Sequence, residues 1–210
     1  MYLVRHGETH SNRLQRYAGC SEEPLTQSGR EQIRALAERL RSHQIGEIWT
    51  SEIARARESA DILAHILGVP TGVEHRLNEM RMGPWEGFSE TEVAERFPEA
   101  YALWCRAPDQ LRMDGRETLA AVAWRMASAL EDAAARASSV LFATHVAPIR
   151  CGLLTALGLP LRYYRRLTVE NAACFVLDEE GAHRLENGHS VITELTGDGF
   201  ERPSSSVSKL

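Results

Sequence analysis

Ser139-Val140-Leu141-Phe142-Ala143-Thr144 is an unbroken run of apolar and small side chains that stops at His145. Such a run, without alternation of polar and apolar positions, suits a strand buried on both faces, as the central strands of a parallel sheet are. Before it, Glu117 to about Arg136 is Ala-rich and predicts a long helix; after it, Pro148 opens a second helix that carries Leu153, Leu154 and Leu157 to Gly158. A buried strand flanked by helices is the repeating unit of a mostly parallel sheet with helices on both faces.

The rest of the chain extends that pattern. Tyr2-Leu3-Val4 reads as a short buried strand that runs into a charged, Gly-containing turn. A helix follows, capped by Thr26 or Ser28, with Ile33, Leu36, Ala37 and Leu40 at helical spacing until a stop at Gly46. Glu47-Ile48-Trp49-Thr50 predicts a strand, residues 54–67 an amphipathic helix ended by Gly68-Val69-Pro70, and Gly72-Val73-Glu74 a third strand. Ala172-Ala173-Cys174-Phe175-Val176-Leu177 and Val191-Ile192-Thr193-Glu194-Leu195 complete the expected strands. Residues 78–116, rich in Gly and Pro with one or two short helices near 89–106, form an expected insertion that covers the substrate. The expectation is an α/β chain, a three-layer α/β/α sandwich in one domain over residues 1–196, with a flexible tail at 197–210.

A chain of 210 residues with 43% hydrophobic and 25% charged side chains has globular composition. Its net charge of −5 is spread along the sequence without a Lys/Arg cluster, so neither nucleic acid nor a membrane surface is an expected partner. No segment reads as a leader or as ~18 consecutive apolar residues, which points to the cytoplasm. Cys20, Cys105, Cys151 and Cys174 are widely spaced and read as reduced thiols. The terminal Ser208-Lys209-Leu210 spells a peroxisomal address, and the favoured reading is a solvated tail that ends so by chance.

In open parallel sheets the ligand crevice lies beyond the carboxyl ends of the strands. Three charged segments stand there: Arg5-His6-Gly7-Glu8, Ser51 to Arg57, and His145. Imidazole is a nucleophile near neutral pH, and the neighbouring Arg5 keeps His6 unprotonated. Were His6 to attack phosphorus, the charge on the equatorial oxygens would need fixed donors, for which Arg5, Arg55 and Asn12 are candidates. His145 adds a donor when a dianion beside it raises its proton affinity, and Glu79 is a candidate to protonate the leaving alkoxide and then activate water. Gly7 leaves room for a phosphate at the backbone, and Trp85 and Trp104 are candidate pocket walls. Blander readings stand beside these. His145 could be a core histidine, Glu79 a surface partner of Arg76 or Arg81, and the tryptophans core aromatics. A zinc site on His6-Gly7-Glu8-Thr9-His10 is disfavoured, because Gly7 in a loop spoils the helical spacing such a motif needs.

The residues also resemble the histidine phosphatases, the superfamily that includes the cofactor-dependent phosphoglycerate mutases. The matched positions, in order over residues 2–190, are Arg5-His6-Gly7-Glu8-Thr9, Asn12, Arg16 with Gly19, Pro24-Leu25-Thr26 with Gly29, Ser51 with Arg55-Ala56 and Ala60, Glu79, Trp85-Glu86-Gly87, Gly115 with Glu117, and His145. The resemblance implies a phosphoglycerate mutase-like fold with flavodoxin-like layering and a phosphohistidine on His6. Arg5, Arg55 and His145 would form the phosphate pocket and Glu79 would be the proton donor, with no metal and no cofactor. It further implies a phosphate contact at Asn12, an entrance position at Arg16 beside Gly19, and a pocket histidine at His189.

Val146 stands where many members have Gly, which alters the pocket beside His145. Met80-Arg81-Met82-Gly83-Pro84-Trp85 replaces the Tyr-containing segment and longer insertion of the mutases. The expected activity is therefore hydrolysis of a small phosphorylated metabolite, with phosphoglycerate mutase as the alternative and a non-catalytic phospho-ligand binder as the second. Arg13, Arg16, Arg81 and Arg150 are candidates for recognising a second anionic group, and family members are often homodimers.

Overall fold

The computed structural model describes residues 1–196; the expected flexible tail, with Ser208-Lys209-Leu210, lies outside the described residues. In chain order the elements are β1 (Tyr2–Arg5), α1 (His10–Arg13), α2 (Gln27–Leu40), β2 (Ile45–Thr50), α3 (Ala54–Leu67) and β3 (Thr71–Val73). They continue with α4 (Glu90–Arg96), α5 (Pro98–Arg106), α6 (Leu119–Ala134), β4 (Ser139–Thr144), α7 (Val146–Ala156), β5 (Cys174–Asp178), β6 (Gly181–Arg184) and α8 (Val191–Thr196).

The strands form one sheet in the order β3-β2-β4-β1-β5-β6. β3, β2, β4 and β1 run parallel, and β5 and β6 join antiparallel at one end. Successive residues of β4 face opposite layers: Val140 and Phe142 pack with Val122, Met126 and Leu153 of α6 and α7, whereas Leu141 and Ala143 pack with Ile33, Leu36 and Leu63 of α2 and α3. Burial on both faces is why the run is apolar throughout, and the result is the expected three-layer α/β/α arrangement.

Thr26 caps α2 by accepting from the Gly29 N–H, and Gly68, at φ 72, closes α3 in the left-handed conformation that a glycine adopts cheaply. Gly46 does not stop α2, which ends at Leu40. It lies inside β2, where the pairing register with β4 shifts between Ile45 and Glu47, and a Cβ there would sit 2.2 Å from Ser138 Oγ.

Two elements at the carboxyl end differ from expectation. Residues 191–196 are helix rather than strand: Val191 and Leu195 are buried four positions apart, Glu194 pairs with Arg184, and its Oε1 accepts the Thr168 N–H. Tertiary packing overrides the β-branched composition there. β6 carries the polar sequence Gly-Ala-His-Arg, which gives no apolar period, and it forms because it pairs with β5 at the sheet edge.

Candidate active site

β1 and β4 are hydrogen-bonded neighbours, so the residues after them, His6 and His145, arrive side by side, with ring centroids 5.1 Å apart. The His6 backbone is pinned between strands, its N–H on the Thr144 carbonyl and its C=O taking the Ala172 N–H. Nδ1 lies 2.7 Å from the Gly7 carbonyl, an acceptor only, so Nδ1 carries the proton and Nε2 keeps its lone pair. Arg55 Nε donates to that lone pair at 3.2 Å. Burial, with Arg5 and then Arg55 nearby, holds the His6 imidazole well below the ordinary histidine range despite the Gly7 hydrogen bond.

Arg5 and Arg55 are held in place by backbone carbonyls. Arg5 Nη1 donates to Val169, leaving its buried Nε without a partner, and burial pushes the guanidinium down to about 10. Arg55, 1% exposed, donates from its terminal nitrogens to Ser21 and Gly19. Gly19, at φ 52, belongs to a turn secured by Glu86, which accepts the Cys20 N–H at 2.8 Å. A Cβ on Gly19 would fall 2.4 Å from Glu86 Oε1 and would have to adopt the left-handed φ of 52, so a side chain here would displace the carboxylate that secures the turn.

His145 is fully buried and does not line the cleft; it reaches the site through its edge contact with His6. Its tautomer follows from its partners. Asn78 Oδ1 accepts from Ser51 Oγ and from the Glu52 N–H, so the Ser51 hydroxyl points away and its oxygen accepts from His145 Nε2 at 2.9 Å. Nδ1 is then unprotonated, buried and without a partner. Burial, followed by Arg55, His6 and Arg5, holds this imidazole too well below its ordinary range.

Glu79 follows the short helical turn at 75–77, and its Oε1 accepts the N–H groups of Met80 at 2.8 Å and of Ala147, in the first turn of α7, at 3.2 Å. Its partners are therefore backbone groups, not Arg76, which binds Glu74 and Asp132, nor Arg81, which is exposed.

Arg5, His6, Arg55 and Glu79 line one cleft of about 280 Å³, together with Asn12, Arg16, Gly19 and Val146. Asn12 Oδ1 is taken by Asn171 Nδ2 and the Thr9 N–H. Arg16 is drawn to the Gly87 carbonyl and to Glu92 at the rim. Of the two tryptophans, Trp104 lines the cleft and Trp85 does not: it is fully buried behind, 6.0 Å from Trp104 with Arg116 stacked on both indoles. His189 lies in a separate open depression of about 1200 Å³ between α2 and the β6–α8 segment, away from this chemistry, because β6 is the edge strand, two places from β1, and the loop beyond it folds onto that edge, where Ser190 bridges His183.

Gly7 lets α2 approach the strand end, since a Cβ would sit 2.3 Å from the Gly29 carbonyl. His10 is exposed on α1, and Glu8 turns to Arg13 and Thr26; among the described residues no three His, Cys, Asp or Glu side chains are grouped to hold a metal. Tyr17, Glu90, Tyr164 and Arg165 also line the cleft, although nothing in their local sequence marks them. They come from the loop before α2, the start of α4 and the segment after α7, which only the folded chain brings together.

The family model of the histidine phosphatase superfamily, branch 1, matches residues 1–187. The chain belongs to the histidine phosphatase superfamily. Among similar members, a probable phosphoglycerate mutase of Photorhabdus laumondii is 32% identical over 200 residues, covering 94% of this chain and 92% of that protein. Phosphoserine phosphatase 1 of Hydrogenobacter thermophilus is 29% identical, covering 93% and 90%. Among solved structures of this fold, Bacillus stearothermophilus YhfR superposes with a TM-score of 0.78 at 27% identity over 92% of this chain and 98% of that one. A mycobacterial glucosyl-3-phosphoglycerate phosphatase gives 0.74 at 26% identity over 83% and 87%. Histidine phosphatase relatives thus carry both mutase and phosphatase names. Among the described residues of this member, no helix is long and apolar enough to cross a membrane.

Proposed function

We propose that the protein is a metal-independent phosphomonoester hydrolase acting on a small phosphorylated metabolite through a phosphohistidine on His6. The observation that carries this is the unprotonated Nε2 of a neutral, buried His6, which accepts from the Arg55 guanidinium, in the cleft that also holds Arg5 and the Glu79 carboxylate. A nucleophile, fixed cations and an acid in one small cavity are what phosphoryl transfer needs, because its catalysis is mostly positioning and charge stabilisation.

Nε2 attacks phosphorus as the ester P–O bond breaks, and the two guanidiniums take the equatorial oxygens. Glu79 gives its proton to the departing alkoxide. The Glu79 carboxylate then takes a proton from water, whose oxygen attacks the phosphohistidine, releasing inorganic phosphate and restoring the imidazole. A proton on His145 Nδ1, favoured once the dianion is present, adds positive charge beside the ring. The cleft of about 280 Å³ suits a small substrate.

The test is phosphate release from p-nitrophenyl phosphate with EDTA present, by wild type and His6→Ala. Activity that survives EDTA and disappears in the variant is the expected result; full activity in H6A overturns the reading. The second reading, phosphoglycerate mutase, has support in the names of several relatives. Incubation with 3-phosphoglycerate and a trace of bisphosphoglycerate separates the two, with free phosphate expected and accumulation of the 2-isomer pointing to the mutase.

A further inference from the structure

We infer that the cleft has a second anion site built on Arg150, and that the preferred substrates are phosphomonoesters whose alcohol portion carries a carboxylate. This rests on the hydrolase reading above and names the substrate class for the same cleft. Of the four arginines that the sequence offers for a second anion, the structure leaves one. Arg13 is turned outward to Glu8 and Arg81 is exposed, and neither lines the cleft. Arg16 lines it but spends one terminal nitrogen on the Gly87 carbonyl and Glu92.

Arg150 sits one helical turn after Val146 on α7, and both line the cleft. Its stem is fixed, with Nε donating to the Leu167 carbonyl at 2.8 Å and the guanidinium 4.9 Å from the centre of the Tyr164 ring. Among the described residues, its two terminal nitrogens have neither a hydrogen bond nor an ion pair. A guanidinium held by its inner nitrogen and by a ring, with the outer pair of N–H donors free, is preorganised for an acceptor that offers two oxygens in a plane. The other arginine at this end, Arg165, is already paired with Glu90 at 2.8 Å.

Charge points the same way. Arg5 and Arg55 offset the phosphate dianion, and during the chemical step Glu79 carries the proton it will deliver, so the Arg150 charge is left without a counter-ion. Two in-plane donors and one excess charge fit a carboxylate, while a second phosphate would bring more charge and more oxygens than this fork can meet. Arg150 and His6 share a cleft of only about 280 Å³, which suits a substrate with few bonds between its carboxylate and the ester oxygen.

The test compares substrates that differ only in this group: O-phosphoserine with O-phosphoethanolamine, and 3-phosphoglycerate with glycerol 3-phosphate. The readout is the ratio of kcat/KM within each pair, for wild type, Arg150→Met, Arg150→Lys and Arg165→Met. A charge-assisted hydrogen-bonded contact of this kind corresponds to a preference of roughly 10–100-fold. Wild type is expected to favour the carboxylate member by that factor, R150M to bring the ratio close to 1, and R150K to keep part of it.

A wild-type ratio near 1, an unchanged ratio in R150M, or collapse of the ratio in R165M but not R150M overturns the inference. So does a stronger preference for fructose 1,6-bisphosphate over fructose 6-phosphate than for either carboxylate. Should R150M fail to fold, the wild-type ratios and R150K still decide. Failure of the hydrolase reading looks different, since then no ester of either kind releases phosphate.

Discussion

Glu79 illustrates how a surface-looking carboxylate is held in a cleft, where the proposed hydrolase would use it as the acid. Its Oε1 is occupied by two backbone N–H groups, which fixes the side chain in the cleft, while Oε2 makes no hydrogen bond among the described residues and remains free for a proton. Glutamine keeps the shape and can accept the same two N–H groups, but it has no proton to give. Glu79→Gln should therefore slow alkyl phosphates, whose leaving alkoxides need protonation, by about 10²–10⁴-fold, and p-nitrophenyl phosphate far less. Steady-state kinetics on both esters checks this, and equal slowing would remove Glu79 from the acid role. At this scale the sequence marked His6, Arg5 and Glu79 by their places after strands and Arg55 by its place in the series of positions that resemble the family, and all four line one cleft. It did not distinguish Trp104 in the cleft wall from Trp85 behind it, because burial depth depends on how α5 and the 83–85 turn pack, and neither has a local signal.

At the scale of elements, the join between β1 and α2 governs the site's geometry. Gly7 and Gly29 meet backbone to backbone: a Cβ on Gly7 would lie 2.3 Å from the Gly29 carbonyl, and one on Gly29 would lie 2.2 Å from the Glu8 carbonyl. Neither obstacle is a flexible side chain, so relief requires moving the helix away from the strand end that carries His6. Gly7→Ala should cost about 1–3 kcal/mol, read as a lower urea midpoint at unchanged slope, with loss of activity alongside. Gly68→Ala is the useful contrast, since open space surrounds its Cβ and only the left-handed φ of 72 opposes it. β4, α3 and α6 were legible because a buried run or a 3.6-residue period states the packing directly. β6 and α8 were not, as an edge strand needs no apolar pattern and α8 is selected by Val191, Leu195 and the Glu194–Arg184 pair.

For the whole molecule, folding places two neutral imidazoles where water cannot solvate their charged forms. His6 and His145 are both buried, with Arg5 and Arg55 close to both and Arg125 adding to His145, and each is held well below 6.5. In the unfolded chain the same rings bind protons near pH 6.5, so below that value the unfolded state binds more protons than the folded one. Stability is therefore full above pH ~6.5 and falls as the solution becomes more acidic, by up to about 1.4 kcal/mol per pH unit for each ring while the folded ring stays neutral. Urea unfolding at pH 7.5, 6.0 and 5.0 measures the slope. His145→Gln retains a donor toward Ser51 but removes one titrating ring, so its curve should lie flatter than wild type by about one proton's worth between pH 6.5 and 5.0. Parallel curves would show that His145 takes up its proton in the folded protein as readily as in the unfolded chain. Saturating inorganic phosphate should also flatten the wild-type curve, because a dianion beside the rings raises their affinity for protons in the folded state and narrows the difference from the unfolded chain.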